Sequence, residues 1–273
     1  MPDRYAVIGN PVAHSKSPLI HAAFARATGQ AMSYERLLAP LDGFAAAAKR
    51  FASEGGMGLN VTAPFKLDAF ALATEKSARA RSAGACNTLA WRGSHWFGDN
   101  TDGAGLIHDL MHNLGVAISR RDVLIFGAGG AARGILGPLL AETPRRVVVV
   151  NRTQSKADEL AAHFAAHGNI AATPTGALGG GRFDIVINAT SIGLQDTDGA
   201  GVWAAGVFAP GALAYDLVYA DAPTPFARWA SANGAARTAD GLGMLIEQAA
   251  ESFLLWRGVR PDSRPLFPLL RPV

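Results

Sequence analysis

The chain has 273 residues, of which 49% are hydrophobic and 17% charged, and its formal net charge is only +3. That balance excludes intrinsic disorder, which needs fewer apolar residues and a larger net charge. With no run of five like charges, it also excludes an extended nucleic-acid surface. The length is about twice that of a common single domain, so two domains are expected. Cys86 is the only cysteine, which excludes an internal disulfide and a Cys-rich zinc site. The opening MPDRYAVIGNP lacks the basic-then-apolar pattern of a secretory signal, and no apolar run reaches 18 residues. A cytoplasmic protein without membrane or nucleic-acid partners is expected, as a monomer or homodimer.

Short apolar runs alternate with longer amphipathic segments, which predicts an α/β protein with mainly parallel strands. Tyr5 to Gly9 reads as a strand. Pro18 to Gly29 reads as a helix with Ser17 as its N-cap, an early proline and a closing glycine. Strands are predicted at Tyr34 to Leu38 and Gly58 to Thr62, with a helix at Phe44 to Glu54 between them. A helical stretch and a hairpin from Asn87 to Gly98 follow. Thr101 is read as the cap of a helix running to about Leu114. A second unit opens at Asp122, with a strand from Val123 to Phe126 and a helix ending near Glu142. Further strands are predicted at Val147 to Val150, Asp184 to Asn188 and Ala214 to Val218. Lys156 to His167 is read as a helix, and Asn169 to Arg182 as a loop around a short strand. Gly243 to Trp256 is an apolar helix, and a Pro-rich tail follows from Arg260.

The run Gly127-Ala128-Gly129-Gly130-Ala131-Ala132 lies between a predicted strand and a predicted helix. Such a turn places backbone N–H groups at the positive end of a helix, where a pyrophosphate can bind. Gly127 permits the turn, Gly129 allows close approach, and Ala132 replaces the third glycine. An NAD site usually carries a carboxylate about 20 residues further on, on the ribose hydroxyls. Here the next strand ends in Asn151-Arg152-Thr153, with Lys156 shortly after. A guanidinium binds a 2′-phosphate that a carboxylate would repel, so NADP is the expected cofactor.

Tyr5-Ala6-Val7-Ile8-Gly9-Asn10-Pro11 with His14-Ser15-Lys16-Ser17-Pro18 resembles the opening signature of the shikimate dehydrogenase family. Asn60-Val61-Thr62-Ala63-Pro64-Phe65-Lys66, Gly84-Ala85-Cys86-Asn87-Thr88 and Gly98-Asp99-Asn100-Thr101-Asp102-Gly103 resemble the next three. Asn188-Ala189-Thr190, Tyr215-Asp216-Leu217-Val218-Tyr219 and Asp240-Gly241-Leu242-Gly243-Met244-Leu245 complete the series from end to end. Ala63 stands where a bulkier apolar residue is common, and Cys86 where valine is common; neither change removes a chemically active group.

The resemblance implies two α/β domains flanking a cleft, the second a Rossmann-type NADP domain. The expected division is 1–101 plus 242–273 for substrate and catalysis, and 102–241 for the dinucleotide. The implied reaction is NADP-dependent reduction of 3-dehydroshikimate to shikimate, a step toward chorismate and the aromatic amino acids. Lys66 and Asp102 are the implied catalytic pair: a positioned ammonium stabilises the developing alkoxide and donates its proton, while the carboxylate holds the lysine. Ser15 and Ser17 are implied to bind the substrate carboxylate, with Lys16 between them facing solvent. Thr62, Asn87, Asp102 and Gln248 would take the ring hydroxyls, and Tyr219 would reach the carboxylate across the cleft. Gly127, Ala128, Gly129, Gly130, Ala131, Asn151, Arg152, Thr153 and Lys156 would hold the cofactor, with Thr190, Leu217 and Gly241 near its nicotinamide.

No metal site is expected: His108 and His112 are spaced i,i+4 without a third ligand and read as a surface pair. Cys86 reads as packed, not reactive. Two other readings stay open on sequence alone. One is a quinate/shikimate dehydrogenase with relaxed cofactor use, and the other is a nucleotide-sensing module without catalysis.

Overall fold

The structure is a computed structural model that describes residues 2–178, 180–190 and 203–271. The chain divides into two compact units, Met1–Leu106 with Leu245–Val273, and Ile107–Met244. The divisions fall a few residues later than the expected 101/102 and 241/242. As a result Asp102 shares a unit with Lys66.

The first unit opens with β1 (Asp3–Gly9), α1 (Ser17–Thr28), β2 (Met32–Leu38), α2 (Phe44–Ser53) and β3 (Gly56–Val61). It continues through α3 (Lys66–Leu72), β4 (Glu75–Lys76), α4 (Ala78–Ala83), β5 (Thr88–Trp91), β6 (Trp96–Asp99) and α5 (Asp102–His108). The sheet order is β2-β1-β3-β5-β6-β4. β1 runs parallel to β2 and β3, whereas β5 is antiparallel to β3 and β6, which makes the expected hairpin. Central β1 is apolar because both its faces are covered: Tyr5, Ala6, Val7 and Ile8 are all buried. Edge strand β2 alternates half-buried and exposed positions over most of its length instead. Ala6, Ile8, Phe44, Phe51, Leu59, Val61, Phe65, Leu89 and Trp96 form one core cluster. Each fully buried large side chain of this kind contributes about 1.5–3 kcal/mol.

Two expected caps differ. Ser17 is the first residue of α1, and Lys16 occupies the cap position without a side-chain capping bond. The reason is local: Ser15 Oγ accepts the Ser17 N–H at 3.3 Å, so the preceding serine satisfies that donor. Thr101 precedes α5, but its hydroxyl bonds Asn87 at 3.1 Å, not the helix. The expected single helix to Leu114 ends at His108 and continues as one π-helical turn, Asp109–Asn113. At the other terminus Gly29 closes α1 as expected, in the left-handed conformation at φ 65°.

The second unit contains β7 (Asp122–Phe126), α6 (Gly130–Ala141), β8 (Arg146–Val150), α7 (Gln154–Phe164) and β9 (Ile170–Ala172). β10 (Phe183–Asn188), β11 (Phe208–Asp216), α8 (Pro225–Ala232) and β12 (Arg237–Ala239) follow. Helix α9 (Leu242–Arg257) and the short α10 (Leu266–Leu270) end the described chain. The second sheet is parallel, in the order β12-β11-β10-β7-β8-β9. From β7 the chain winds outward first through β8 and β9, then from β10 through β11 and β12. The order therefore reverses between β7 and β10, the doubly wound arrangement of a Rossmann-type sheet. Leu124, Phe126, Val148, Val150, Phe183, Val186, Phe208 and Phe226 fill its core. Helix α8 and strand β12 were not foreseen, nor was α10 within the Pro-rich tail. Gly179 of the expected loop, and Pro272 and Val273 of the tail, lie outside the described residues.

Candidate active site

Lys66 opens α3 directly after Phe65, a fully buried anchor in the core of the first unit. Asp102 opens α5, three residues beyond the end of β6. Lys66 Nζ donates to Asp102 Oδ2 at 2.5 Å, with the side chains 21% and 7% exposed. The other carboxylate oxygen, Oδ1, accepts Asn87 Nδ2 at 2.8 Å. The ammonium therefore sits in a fixed position, partly open, against a carboxylate held on both oxygens.

The Asn87 amide has one permitted orientation. The Thr101 backbone N–H donates at 2.8 Å, so the atom facing it must be Oδ1. Nδ2 then points to Asp102 and lies 3.2 Å from Gln248 Oε1. Gln248, on α9, is itself oriented by Nε2 donating to the Leu245 carbonyl at 2.9 Å. The structure thus brings Lys66, Asn87, Asp102 and Gln248 together. It adds Thr101, whose hydroxyl is shared between Asn87 and Gln248.

Behind them lies a buried polar web that sequence reasoning missed. Thr88 Oγ1 donates to Asn87 Oδ1 at 3.0 Å and lies 2.8 Å from Ser252 Oγ. Asn60 Nδ2 donates to both Ser252 and Thr88 at 2.9 and 3.2 Å. Its Oδ1 accepts Tyr34 O–H at 2.7 Å and faces His21 Nε2 at 3.1 Å. The available signals were a polar residue inside the apolar run Leu59-Asn60-Val61 and the i,i+4 spacing of Gln248 and Ser252 on one helix face.

His21 is fully buried and stacks on Tyr34 with ring centroids 4.2 Å apart. Burial pushes its pKa down to about 3, so the ring is neutral and Nε2 carries the hydrogen toward Asn60. Below the ordinary value of 6.5 the unfolded chain gains a proton that the folded chain does not. Stability is therefore lost as pH falls from 6.5 toward 3, by up to about 1.4 kcal/mol per unit from this group. In urea melts between pH 4 and 7, His21→Phe is expected to show a shallower acid loss than the unmodified protein. Equal slopes would remove His21 as the cause.

Ser15, in the loop between β1 and α1, and Ser17, the first residue of α1, are buried with their hydroxyls 3.1 Å apart. Lys16 is half-buried, and its Nζ reaches the Leu270 carbonyl at 3.4 Å, so it is not the solvent-facing residue expected. Thr62 follows β3 directly. Its methyl carbon would stand 2.3 Å from a Cβ on Gly9, so the two residues pack in contact. Tyr219 belongs to the second unit, three residues past β11, and is half-buried.

In the second unit the glycine turn joins β7 to α6. Gly127 has φ +109°, and a Cβ there would lie 2.8 Å from the Ala189 backbone, so only glycine fits. Cβ atoms on Gly129 or Gly130 would meet nothing within 4 Å, which leaves the mouth of the turn open. The 12-residue helix α6 carries no side-chain cap at its N-terminus, so its first N–H groups are available to an anion. Ala132 is fully buried, as a small residue against the sheet must be. Asn151, Arg152 and Thr153 follow β8, with Arg152 and Lys156 exposed, and Asn151 Nδ2 braces the loop on the Thr153 carbonyl at 2.9 Å. Thr190, Leu217 and Gly241 follow β10, β11 and β12.

All these positions lie beyond the carboxyl ends of parallel strands flanking the β7/β10 reversal, where open α/β sheets bind ligands. The residues present fit a phosphorylated dinucleotide. Asp216 pins this edge from below, accepting Thr224 Oγ1 at 2.6 Å, the Val218 N–H at 3.1 Å and Asn188 Nδ2 at 2.8 Å. Burial raises its carboxyl to about 6 in spite of those donors. Cys86 is fully buried, and burial pushes its thiol up to about 12, as a packed cysteine requires. Among the described residues no group of three or more His, Cys, Asp or Glu side chains is placed to hold a metal ion.

Residues 7–89 match the family described as Shikimate dehydrogenase substrate binding domain. Residues 109–194 match Shikimate / quinate 5-dehydrogenase, and residues 241–265 match Shikimate 5'-dehydrogenase C-terminal domain. A shikimate dehydrogenase (NADP(+)) of Nitrosospira multiformis is 54% identical, over 99% of this chain and 98% of the relative. The crystal structure of an Ael1 enzyme from Pseudomonas putida superposes with a TM-score of 0.90 at 46% identity, covering 98% of both chains. That of shikimate 5-dehydrogenase from Thermus thermophilus, in complex with NADP(H) and shikimate, gives 0.82 at 35% identity, covering 97% of this chain and 96% of that one.

Proposed function

The chain belongs to the shikimate dehydrogenase family, and on that premise we propose that it catalyses the NADP-dependent, reversible reduction of 3-dehydroshikimate to shikimate. The observation that carries the reading within the site is the Lys66–Asp102 pair at 2.5 Å.

NADPH, when bound, supplies the hydride. As the ring carbonyl is reduced, negative charge builds on its oxygen, and the Lys66 ammonium donates first a hydrogen bond and then a proton to that atom. Asp102 keeps the lysine aimed, and it accepts a hydrogen bond from the neighbouring ring hydroxyl. In the oxidative direction neutral Lys66 takes the hydroxyl proton back. Asn87, Thr62 and Gln248 bind the ring hydroxyls, with Asn87 fixed in orientation by the Thr101 N–H. Ser15 and Ser17 bind the carboxylate.

Gly127, Ala128, Gly129, Gly130 and Ala131 would cradle the pyrophosphate on the free N–H groups of α6. Asn151, Arg152, Thr153 and Lys156 would hold the adenosine 2′-phosphate, and Thr190, Leu217 and Gly241 the nicotinamide end. The proposed enzyme works in the cytoplasm as a monomer or homodimer. Among the described residues no helix is long and apolar enough to cross a membrane.

Substrate choice tests the carboxylate assignment. Quinate bears an extra hydroxyl on the carbon that carries its carboxylate, and its ring is saturated, so the paired serines meet a differently placed acid. In steady-state oxidation with NADP, shikimate is expected to be preferred over quinate by at least about tenfold in kcat/KM, or about 1.4 kcal/mol. Ser17→Ala is expected to raise the shikimate KM with a smaller change in kcat, because the hydroxyl binds ground and transition states alike. Comparable efficiency with both acids would move the chain to dual shikimate/quinate use.

A further inference from the structure

The proposed carboxylate site contains two neutral hydroxyls, which bind an anion weakly unless a charge stands near and the loop is held still. Arg36, on β2 and paired in register with Val7 of β1, supplies both. Its Nε and Nη2 donate to the single Ser15 carbonyl oxygen at 3.1 and 2.6 Å. Several arginines of the first unit are neutralised: Arg79 by Asp99 and Glu251, Arg257 by Asp3, and Arg260 by Glu247 and Glu251. Arg36 instead spends its donors on a backbone carbonyl, and among the described residues no carboxylate pairs with it.

We propose that Arg36 is a positioning residue of the carboxylate site. It fixes the Ser15 peptide, and through it the hydroxyls of Ser15 and Ser17, and its unneutralised charge favours an anionic group beside them. Two N–H groups converging on one acceptor hold the loop in a way a lysine's single flexible ammonium does not reproduce. The inference rests on the reading that Ser15 and Ser17 take the substrate carboxylate.

The test uses Arg36→Met, which keeps an unbranched stem and removes donors and charge, with Arg36→Lys and Ser15→Ala alongside. Ser15→Ala leaves the carbonyl that Arg36 binds. Arg36→Met is expected to raise the shikimate KM by about tenfold or more, while kcat stays within about threefold and the NADP KM is unchanged. Arg36→Lys should fall between, restoring the charge without the two-point clasp. Shikimate methyl ester, assayed as substrate or competitive inhibitor, carries no charge, so Arg36→Met should weaken it several-fold less than the acid.

A shikimate KM within twofold of the unmodified protein, equal losses for acid and ester, or a fall in kcat with unchanged KM would each overturn the proposal. If Ser15→Ala leaves the shikimate KM unchanged, the carboxylate reading fails and takes this inference with it. If Ser15→Ala raises KM and Arg36→Met does not, only the role of Arg36 is lost.

Discussion

Lys66→Ala is expected to lower kcat for shikimate oxidation by about 10²–10⁴-fold, the usual scale for a positioned acid–base group. The residue is 21% exposed and its ammonium is fixed 2.5 Å from Asp102, so it is both accessible to a substrate and held in one geometry. Substrate affinity should change much less, because Ser15, Ser17, Asn87 and Gln248 do not depend on the lysine for their own bonds. The substitution leaves a nearly buried carboxylate without its cation, yet Asn87 still donates to Asp102 Oδ1. A thermal melt run with the kinetics separates lost chemistry from lost folding. A kcat within a few-fold of the unmodified enzyme, at unchanged stability, would reduce Lys66 to a binding or structural residue.

Arg152→Asp is expected to weaken NADP by about tenfold to a hundredfold, since a hydrogen bond to a charged group contributes roughly 1.5–3 kcal/mol. NAD should be used as well as before, or better, because a carboxylate at the end of β8 suits the ribose hydroxyls. The exposed position of Arg152, after a strand that ends at Val150, means that little folding stability hangs on it. The change should therefore appear in the cofactor KM and not in the melt. Equal efficiency of the unmodified enzyme with NADP and NAD would falsify the phosphate-reading role.

The second unit was the more legible half, because its strands are buried apolar runs and its glycine turn sits between a strand and a helix. The positive φ of Gly127 and its contact with the Ala189 backbone are requirements that only glycine satisfies, so sequence carries them directly. Helix α8 was missed although Thr224-Pro225 is a cap followed by an early proline, and Thr224 does accept the Ala227 N–H at 3.1 Å. The turn-rich stretch Asp221-Ala222-Pro223 masked that signal. Strand β12 has only three residues, two of them exposed, and so presents no apolar run to find.

Within the site, Lys66, Asp102 and Asn87 came from motifs, and Gln248 from what the family resemblance implies. What holds them did not. Asn60 meets Thr88 and Ser252 across 28 and 192 residues of chain, and such contacts appear only once the strands are aligned and α9 is laid against them. Arg36 was invisible for the same reason. Its meaning depends on the parallel register that sets β2 beside β1 and so brings the guanidinium under the loop that follows β1.

The proposed reaction is tested most directly by following NADPH absorbance after 3-dehydroshikimate is added to the purified protein, with Lys66→Ala measured beside it. The expected result is NADPH consumption that requires 3-dehydroshikimate and yields shikimate in equal amount, reduced by about a hundredfold or more in the variant. No consumption by the unmodified protein, or the same rate in both proteins, would contradict it.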